Sequence, residues 1–451
     1  MKILFVNPYI YDFTAYDLWL RPVGLLYIAA VVRRFTGCEI FWLDALDRFQ
    51  EGAGVKSGKS GRGKYYREIV KKPEIYEQTP RYYARYGIPV ETFREKIEKL
   101  PEMDMIVLTT LMTYWIEGVQ FTLNILVNRF PDAKIVVGGV IPSLIPREKI
   151  EEYISADFYV SGYGEKKILE IIEREGGKIY PYPDFSHIDN IPFPAFELLT
   201  NRRTLPLLTS RGCPYHCAYC ASGILNKKFV ERSVEKILEE IYDMHETFGT
   251  EEVVIFDDAF LVNRRKRFFR VFAEVSQKLK LRFHTPNGLH PGEIDEETAE
   301  ILFKSGFETL RLSFESIKDD ILSRSSNKVT VEKMMRAVEN LEKAGYKRGD
   351  IGVYLLFGYP GQGLADIEQS LRFVKELGVS PHLALFSPVP GTVDFNNLQH
   401  SGVLTTPTDL YETNKIYYLY NKPGLSREEI KYIKDLSIEI SADVTRKPEK
   451  P

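Results

Sequence analysis

The stretch Leu205–Cys220, L-P-L-L-T-S-R-G-C-P-Y-H-C-A-Y-C, restricts this chain more than any other. The apolar run Leu205 to Leu208, ending toward Arg211-Gly212, reads as a buried strand that opens into a loop. The loop carries Cys213, Cys217 and Cys220 at C-x3-C-x2-C spacing and gathers three thiols in one small volume. Thiolates are soft ligands that suit zinc, copper or iron–sulfur clusters. A cubane cluster has four irons, so three cysteines leave one iron open, as catalytic zinc sites leave one position open. A structural zinc ion needs a fourth ligand. His216 is the candidate, but its adjacency to Cys217 strains joint chelation.

At 451 residues the chain has room for two or three domains. Its 44% hydrophobic and 27% charged residues are enough for full cores. A net charge of −3 gives no global field toward nucleic acid or membrane. Four cysteines are too few for a disulfide scaffold. With three in the loop, only Cys38 remains, in a helix-to-strand turn, and it cannot build a second cluster. No apolar run approaches the roughly 20 residues that cross a bilayer. Met1–Pro8 reads as a strand rather than a signal peptide. A cytoplasmic, reducing setting is the expectation.

Short apolar strands alternate with helices along most of the chain. In the N-terminal part they fall at Ile3–Val6, Glu39–Leu43, Met105–Thr110, Lys134–Val137 and Asp157–Val160. That alternation predicts an α/β doubly wound parallel sheet, with ligands beyond the strands' carboxyl ends. After a proline-rich linker, six strands are expected at Leu205–Leu208, Val253–Phe256, Leu281–His284, Thr309–Phe314, Ile351–Phe357 and His382–Phe386. Six are too few to close an eight-stranded barrel, so a partial (β/α)6 barrel follows, with polar residues at strand ends where barrel enzymes place their sites. The expected domains are 1–180 with an insertion over 50–100, a linker at 181–203, the barrel at 204–395 and a helical extension at 396–451.

The cysteine loop at a strand end, with Tyr219 before the last cysteine, resembles the radical S-adenosylmethionine superfamily. That resemblance implies a [4Fe-4S] cluster on Cys213, Cys217 and Cys220, with S-adenosylmethionine chelated at the open iron. It also implies reductive cleavage to a 5′-deoxyadenosyl radical. Phe256-Asp257-Asp258 stands where the family often has Gly-Gly-Glu, which makes Asp258, with Asp257 beside it, the implied contact for the amino group. Ser313 and Glu315 match the ribose-contacting strand. Gly358 and Ser387 match the segments around adenine, where Tyr219 also packs. The missing second cluster sets the chain apart from methylthiotransferases.

The N-terminal order N-P, P-x-G-L, L-D, G-G and G-x-G-E resembles the cobalamin-binding domain that precedes many such cores. The implied contacts are Pro8, Thr109, Thr110, Gly138, Gly139, Gly162 and Gly164, with Tyr114 and Trp115 to cover the lower face of cobalt. Tyr163 departs from the Glu often found there. No histidine precedes His187, so cobalamin would be held without a histidine ligand from this domain. The family most often methylates unactivated carbon, with a reductase, flavodoxin or ferredoxin as electron donor. A cyclisation, rearrangement or oxidation with a vestigial corrinoid domain is the alternative; a non-catalytic metal or nucleic-acid module is a remote one. The substrate is not readable.

Ala53–Ser60 nearly matches a phosphate loop, but Ala53 replaces its first glycine and no helix follows. It belongs to the basic, tyrosine-rich insertion, read either as a lid or as a solvated loop with a small packed helix. In the C-terminal extension one helix is expected to run to Tyr420, capped by Thr406 with Pro407 first. A second should run from Ser426 to Ile440 behind a Ser426–Glu429 capping box. The tail Arg446–Pro451 is expected to be disordered, and the extension to cap the barrel mouth.

Overall fold

The computed structural model describes residues 1–53, 55, 61–262, 267–326, 328–422 and 424–445, without the side chains of 267–271. The near phosphate loop and the tail 446–451 therefore fall almost wholly outside the described residues. The chain divides into two units. One holds Met1–Thr204 with Thr247–Gly249; the other holds Leu205–Glu246 and the chain from Thr250 onward.

The first unit is built on strands β1 (Lys2–Asn7), β2 (Glu39–Asp44), β3 (Met105–Thr110), β4 (Lys134–Gly139) and β5 (Phe158–Val160). They lie in the order β5-β4-β3-β1-β2, all parallel. Ile3, Leu4, Phe5 and Val6 are each 0% exposed, as a parallel sheet covered on both faces requires. Helices Val23–Phe35 and Glu165–Arg174 supply part of that cover through Leu25, Ala29, Ile168 and Ile172. The winding direction reverses between β1 and β3, and the crevice outside their carboxyl ends is the ligand position of such sheets.

The insertion holds the small packed helix that one reading expected, and with it an antiparallel sheet that neither reading foresaw. Arg67–Ile69 and Ala84–Tyr86 pair with Ile10–Asp12 in a small antiparallel sheet. The helix Val90–Glu98 follows, with Phe93 fully buried. Tyr65, Tyr76, Tyr83 and Tyr86 turn inward and Tyr82 alone of this group is strongly exposed. Tyrosine spacing carries no period here, so the fold of this segment was hidden in the sequence.

The second unit holds β6 (Thr204–Leu207), β7 (Glu252–Ile255), β8 (Arg282–His284), β9 (Phe307–Glu315), β10 (Ile351–Phe357) and β11 (Ser380–Leu385). They form one sheet in sequential order. β6 and β11 are not neighbours, so the barrel is open, as six strands predict.

The C-terminal extension differs from expectation. No helix runs from Thr406 to Tyr420. A 3-10 turn at Leu410–Thr413 is capped by Asp409, and a separate helix Lys415–Asn421 is capped by Asn414, whose Oδ1 accepts from the N–H groups of Ile416 and Tyr417. An Asn cap next to the apolar run outcompetes the distant Thr-Pro signal. The last helix, Arg427–Thr445, does begin behind the Ser426–Glu429 box: Ser426 N–H donates to Glu429 at 2.8 Å and Glu429 N–H to Ser426 Oγ at 3.1 Å. It packs along edge strand β11, with Ser380 donating to Ser441, and so covers an exposed sheet edge rather than the mouth. The earlier helices reach the strands' carboxyl ends: Leu419 lies against Gly358.

Candidate functional site

In the second unit β6 delivers the chain to Thr209-Ser210, whose position is set from below by Asp257. One Asp257 oxygen accepts the Thr209 N–H at 2.7 Å, and the other accepts the hydroxyls of Thr209 and Ser210, each at 2.5 Å. Asp257 is 3% exposed. Its carboxylate therefore anchors the root of the cysteine loop rather than facing a ligand, and only its backbone remains for one. Asp258 beside it is open to solvent and accepts from Ser222 Oγ, two residues past Cys220. Crowding by protein raises its carboxyl pKa above the ordinary value, with the Ser222 bond partly opposing.

Cys213, Cys217 and Cys220 are free thiols, the first two half-buried and the third exposed. Each lies within electrostatic reach of the others and of Asp258 or Lys328. Burial pushes the Cys213 thiol up and the Cys220 thiol to about 11. Cys220 and Asp258 are both accessible to solvent. Among the described residues no three His, Cys, Asp or Glu side chains close around a single metal ion. A four-iron cluster instead takes each thiolate on a different iron. The trio fits that group, because three unbridged thiols lie within electrostatic reach of one another and a soft-metal site uses this donor set.

The loop is gripped on several sides. The His216 N–H donates to Ser326 Oγ at 2.9 Å, and the Ala218 N–H to the Arg324 carbonyl at 2.8 Å. Tyr215 stacks on buried His290, ring centroids 4.5 Å apart. Burial, with the Lys328 charge nearby, holds His290 neutral with a pKa of about 3.

Glu315, at the end of β9, adopts φ +74°, a left-handed conformation that a non-glycine residue adopts at a cost. The register with β10 shifts at that point. It is 7% exposed and pairs with Lys328 at 3.2 Å. Burial pulls the Lys328 ammonium down, but Glu315 and the thiols of Cys217 and Cys213 more than offset that and leave its pKa raised. The Tyr219 hydroxyl is buried toward Glu315 and Cys217 without a well-formed hydrogen bond, and its ring meets Tyr359 edge-on at 6.1 Å. Lys328 follows no motif, and sequence reasoning missed it.

The other expected contacts divide. Ser313 lies at the β9 end, 8% exposed, under Gly288, where a Cβ would stand 1.9 Å from its Oγ. Gly358 ends β10 at φ +76°. The Ser387 hydroxyl donates to the Thr413 carbonyl at 2.6 Å, which ties the strand end to the C-terminal turn and leaves only its backbone facing outward.

In the first unit, Pro8 follows β1 and is buried. Thr109 and Thr110 end β3, and Gly138-Gly139 end β4 beside them. Thr110 Oγ1 donates to the Gly138 carbonyl at 2.8 Å and accepts the Ile141 N–H at 2.9 Å. A Cβ on Gly139, at φ +93°, would meet the Thr110 carbonyl at 2.3 Å. Gly162, with open space where a Cβ would be, donates its N–H to Ser143 Oγ at 2.9 Å, and Ser143 donates to the Gly139 carbonyl at 2.6 Å. Gly164 starts the next helix, packed on Ile28. These strand ends form a glycine-lined surface that a large flat ligand could approach. Tyr114 and Trp115 do not share it. They are 3% and 9% exposed, packed with Ile10, Leu46 and Tyr86, because the antiparallel sheet of the insertion covers them.

Residues 207–374 match the model of the radical SAM superfamily, and residues 81–172 match the B12 binding domain. A cytidylyl-2-hydroxyethylphosphonate methyltransferase of Streptomyces wedmorensis is 22% identical over 94% of this chain and 86% of its own length. An uncharacterized methyltransferase of Pyrococcus horikoshii is 25% identical over 57% of this chain, which spans 61% of that relative. Among solved structures, the radical S-adenosylmethionine methyltransferase TsrM from Kitasatospora setae, with cobalamin and a [4Fe-4S] cluster bound, superposes with a TM-score of 0.64 at 15% identity, covering 96% of this chain and 90% of that one. The cobalamin-dependent S-adenosylmethionine radical enzyme OxsB gives 0.55 at 15% identity over 89% of this chain and 55% of its own. At such identity these likenesses establish a shared fold. With a matching core model, a matching corrinoid-domain model and an open barrel carrying three thiols, this chain contains a radical SAM domain and, ahead of its cysteine loop, a B12-binding domain.

Proposed function

We propose that the chain is a cobalamin-dependent radical S-adenosylmethionine methyltransferase acting on an unactivated carbon. One observation carries the reading: a single chain joins three free thiols at the carboxyl end of the first barrel strand to a β5-β4-β3-β1-β2 sheet with a glycine-lined crevice. When bound, the cluster supplies the electron that breaks a C–S bond of S-adenosylmethionine, and the corrinoid carries the methyl group.

The chain's own residues hold and orient. Cys213, Cys217 and Cys220 ligate the cluster. Asp258 accepts from the amino group of S-adenosylmethionine, while the Lys328 ammonium faces its carboxylate. Ser313 and Glu315 receive the ribose, and Tyr219 with Gly358 and the Ser387 backbone walls the adenine. In the first unit Pro8, Thr109, Thr110, Gly138, Gly139, Gly162 and Gly164 cradle the corrinoid without a histidine ligand. Tyr114 is left out of that set because it packs with Ile10, Leu46 and Tyr86 beneath the insertion's sheet rather than at the strand ends. The electron donor is of the flavodoxin or ferredoxin kind, and the setting is reducing and cytoplasmic. No described helix is long and apolar enough to cross a membrane.

The test is anaerobic reconstitution with iron, sulfide and cobalamin, followed by reduction with S-adenosylmethionine present. Expected are about four irons and one corrinoid per chain, with both 5′-deoxyadenosine and S-adenosylhomocysteine formed. Formation of 5′-deoxyadenosine alone, with no corrinoid retained, would move the reaction to a rearrangement or oxidation and overturn methyl transfer.

A further inference from the structure

Beside the small antiparallel sheet of the first unit lies an open, solvent-facing cavity of about 570 Å³, lined by Phe13, Arg67, Lys72, Pro80, Arg81 and Tyr82. That volume suits a small molecule. Its wall carries three cations, two aromatic rings and no acid. The nearby acid Glu68 is engaged with Arg85 and Tyr66.

Phe13 and Lys72 are held in place, while Arg67, Pro80, Arg81 and Tyr82 are exposed. Phe13 is 4% exposed and held by Tyr76 and Tyr83 at 4.9 and 5.2 Å between ring centroids. Lys72 Nζ donates to the Thr79 carbonyl at 2.7 Å, which fixes the ammonium beside the cavity. The Arg81 guanidinium makes no hydrogen bond or ion pair with any described residue. Tyr82 presents its ring at 74% exposure. Three like charges around one concavity repel each other, and an uncovered tyrosine beside them leaves apolar area in water. An anion attached to a planar ring relieves both at once: guanidinium and ammonium groups take phosphate oxygens, and an aromatic face takes the ring.

We infer that this cavity binds a phosphorylated ligand bearing a planar heterocycle, of the mononucleotide class, with its phosphate among Arg67, Lys72 and Arg81 and its ring on Tyr82. The lining residues all belong to the first unit, and the test needs no turnover.

The full chain is titrated calorimetrically with cytidine 5′-monophosphate, adenosine 5′-monophosphate, cytidine, inorganic phosphate and an eight-nucleotide RNA. Arg81→Glu and Tyr82→Ala are compared with the parent, and their melting curves serve as the check on folding. A mononucleotide is expected to bind with Kd below about 1 mM, and cytidine or phosphate at least tenfold more weakly. Arg81→Glu should weaken the nucleotide roughly tenfold or more and Tyr82→Ala roughly fivefold, both with the parent's melting curve. The inference fails if no nucleotide saturates the protein, or if phosphate binds as tightly as nucleotide. It fails equally if both variants bind like the parent, which would place the nucleotide in the S-adenosylmethionine site. RNA more than tenfold tighter than mononucleotide would make the patch a nucleic-acid surface instead.

Discussion

The backbone N–H of Asp394 donates to the carbonyl of Ala218 at 3.0 Å, linking the helix Val393–His400 to the first of the two residues between the second and third cysteines. The Ala218 N–H in turn donates to the Arg324 carbonyl at 2.8 Å. Arg324 and Asp394 are ion-paired, and Tyr359 donates to Asp394 Oδ2 at 2.5 Å. The cysteine turn is thus held from both sides by arms that are tied together. Asp394→Ala should lower retained iron and slow 5′-deoxyadenosine formation about tenfold, with about 2 kcal/mol lost in stability. Asp394→Asn, which can keep the Tyr359 bond, should recover part of both. Parent-like iron content and cleavage in the two variants would refute the clamp.

Cys217→Ala removes one of three cluster ligands and no core volume. The reconstituted variant should lose the visible cluster absorption and all S-adenosylmethionine cleavage while unfolding at the parent's temperature. Retained cleavage would remove the basis of the assignment.

Glu315 and Lys328 are 9% and 8% exposed at their side chains and pair at 3.2 Å. Lys328→Met leaves a buried carboxylate alone and should cost about 3–5 kcal/mol. Glu315→Gln combined with Lys328→Met should be markedly more stable than Lys328→Met alone in chemical denaturation. An additive double variant would mean the pair is not coupled.

Burial raises the Asp44 carboxyl to about 7, with Asp47 adding to the shift and the bonds from Leu46 and Asn7 opposing it. The folded state therefore holds a proton that the unfolded chain releases near pH 4. The stability so gained is full below that pH and is lost as pH rises through about 7. Both bonds end on Oδ1, at 2.7 and 2.8 Å, so Asp44→Asn can keep them. The unfolding free energy of the variant, from urea titrations, should change less with pH than the parent's from pH 5 to 8, by at most ~1.4 kcal/mol per pH unit. Parallel curves would place the titrating group elsewhere.

Gly139→Ala places a Cβ 2.3 Å from the Thr110 carbonyl at φ +93°. It should destabilise the first unit by about 1–3 kcal/mol and weaken cobalamin retention. Gly162→Ala has open space around its Cβ and bears only the strain of its positive φ, so it should cost less. Equal effects in the two would count against the close approach of β3 and β4.

Most of the regular frame was legible because its signals are local. Met105–Thr110 and Ile351–Phe357 are strands at the residues their apolar runs mark. The Ser426–Glu429 box starts a helix where two side chains can reach two backbone N–H groups. The Thr406-Pro407 signal failed because Asn414 offers a better cap nearer the apolar run. The insertion was opaque because its strands pair with Ile10–Asp12, far upstream in the chain.

By itself the amino-acid order determined the strand-helix alternation, the cysteine spacing and the glycines at strand ends, since each depends on neighbours a few residues apart. Tertiary structure alone decided what the polar groups face. It turned Asp257 inward to anchor Thr209 and Ser210, brought Lys328 to Glu315 and the thiols, and buried Tyr114. Burial and pairing arise between segments distant in sequence, and no local pattern records which carboxylate meets which partner once water is excluded.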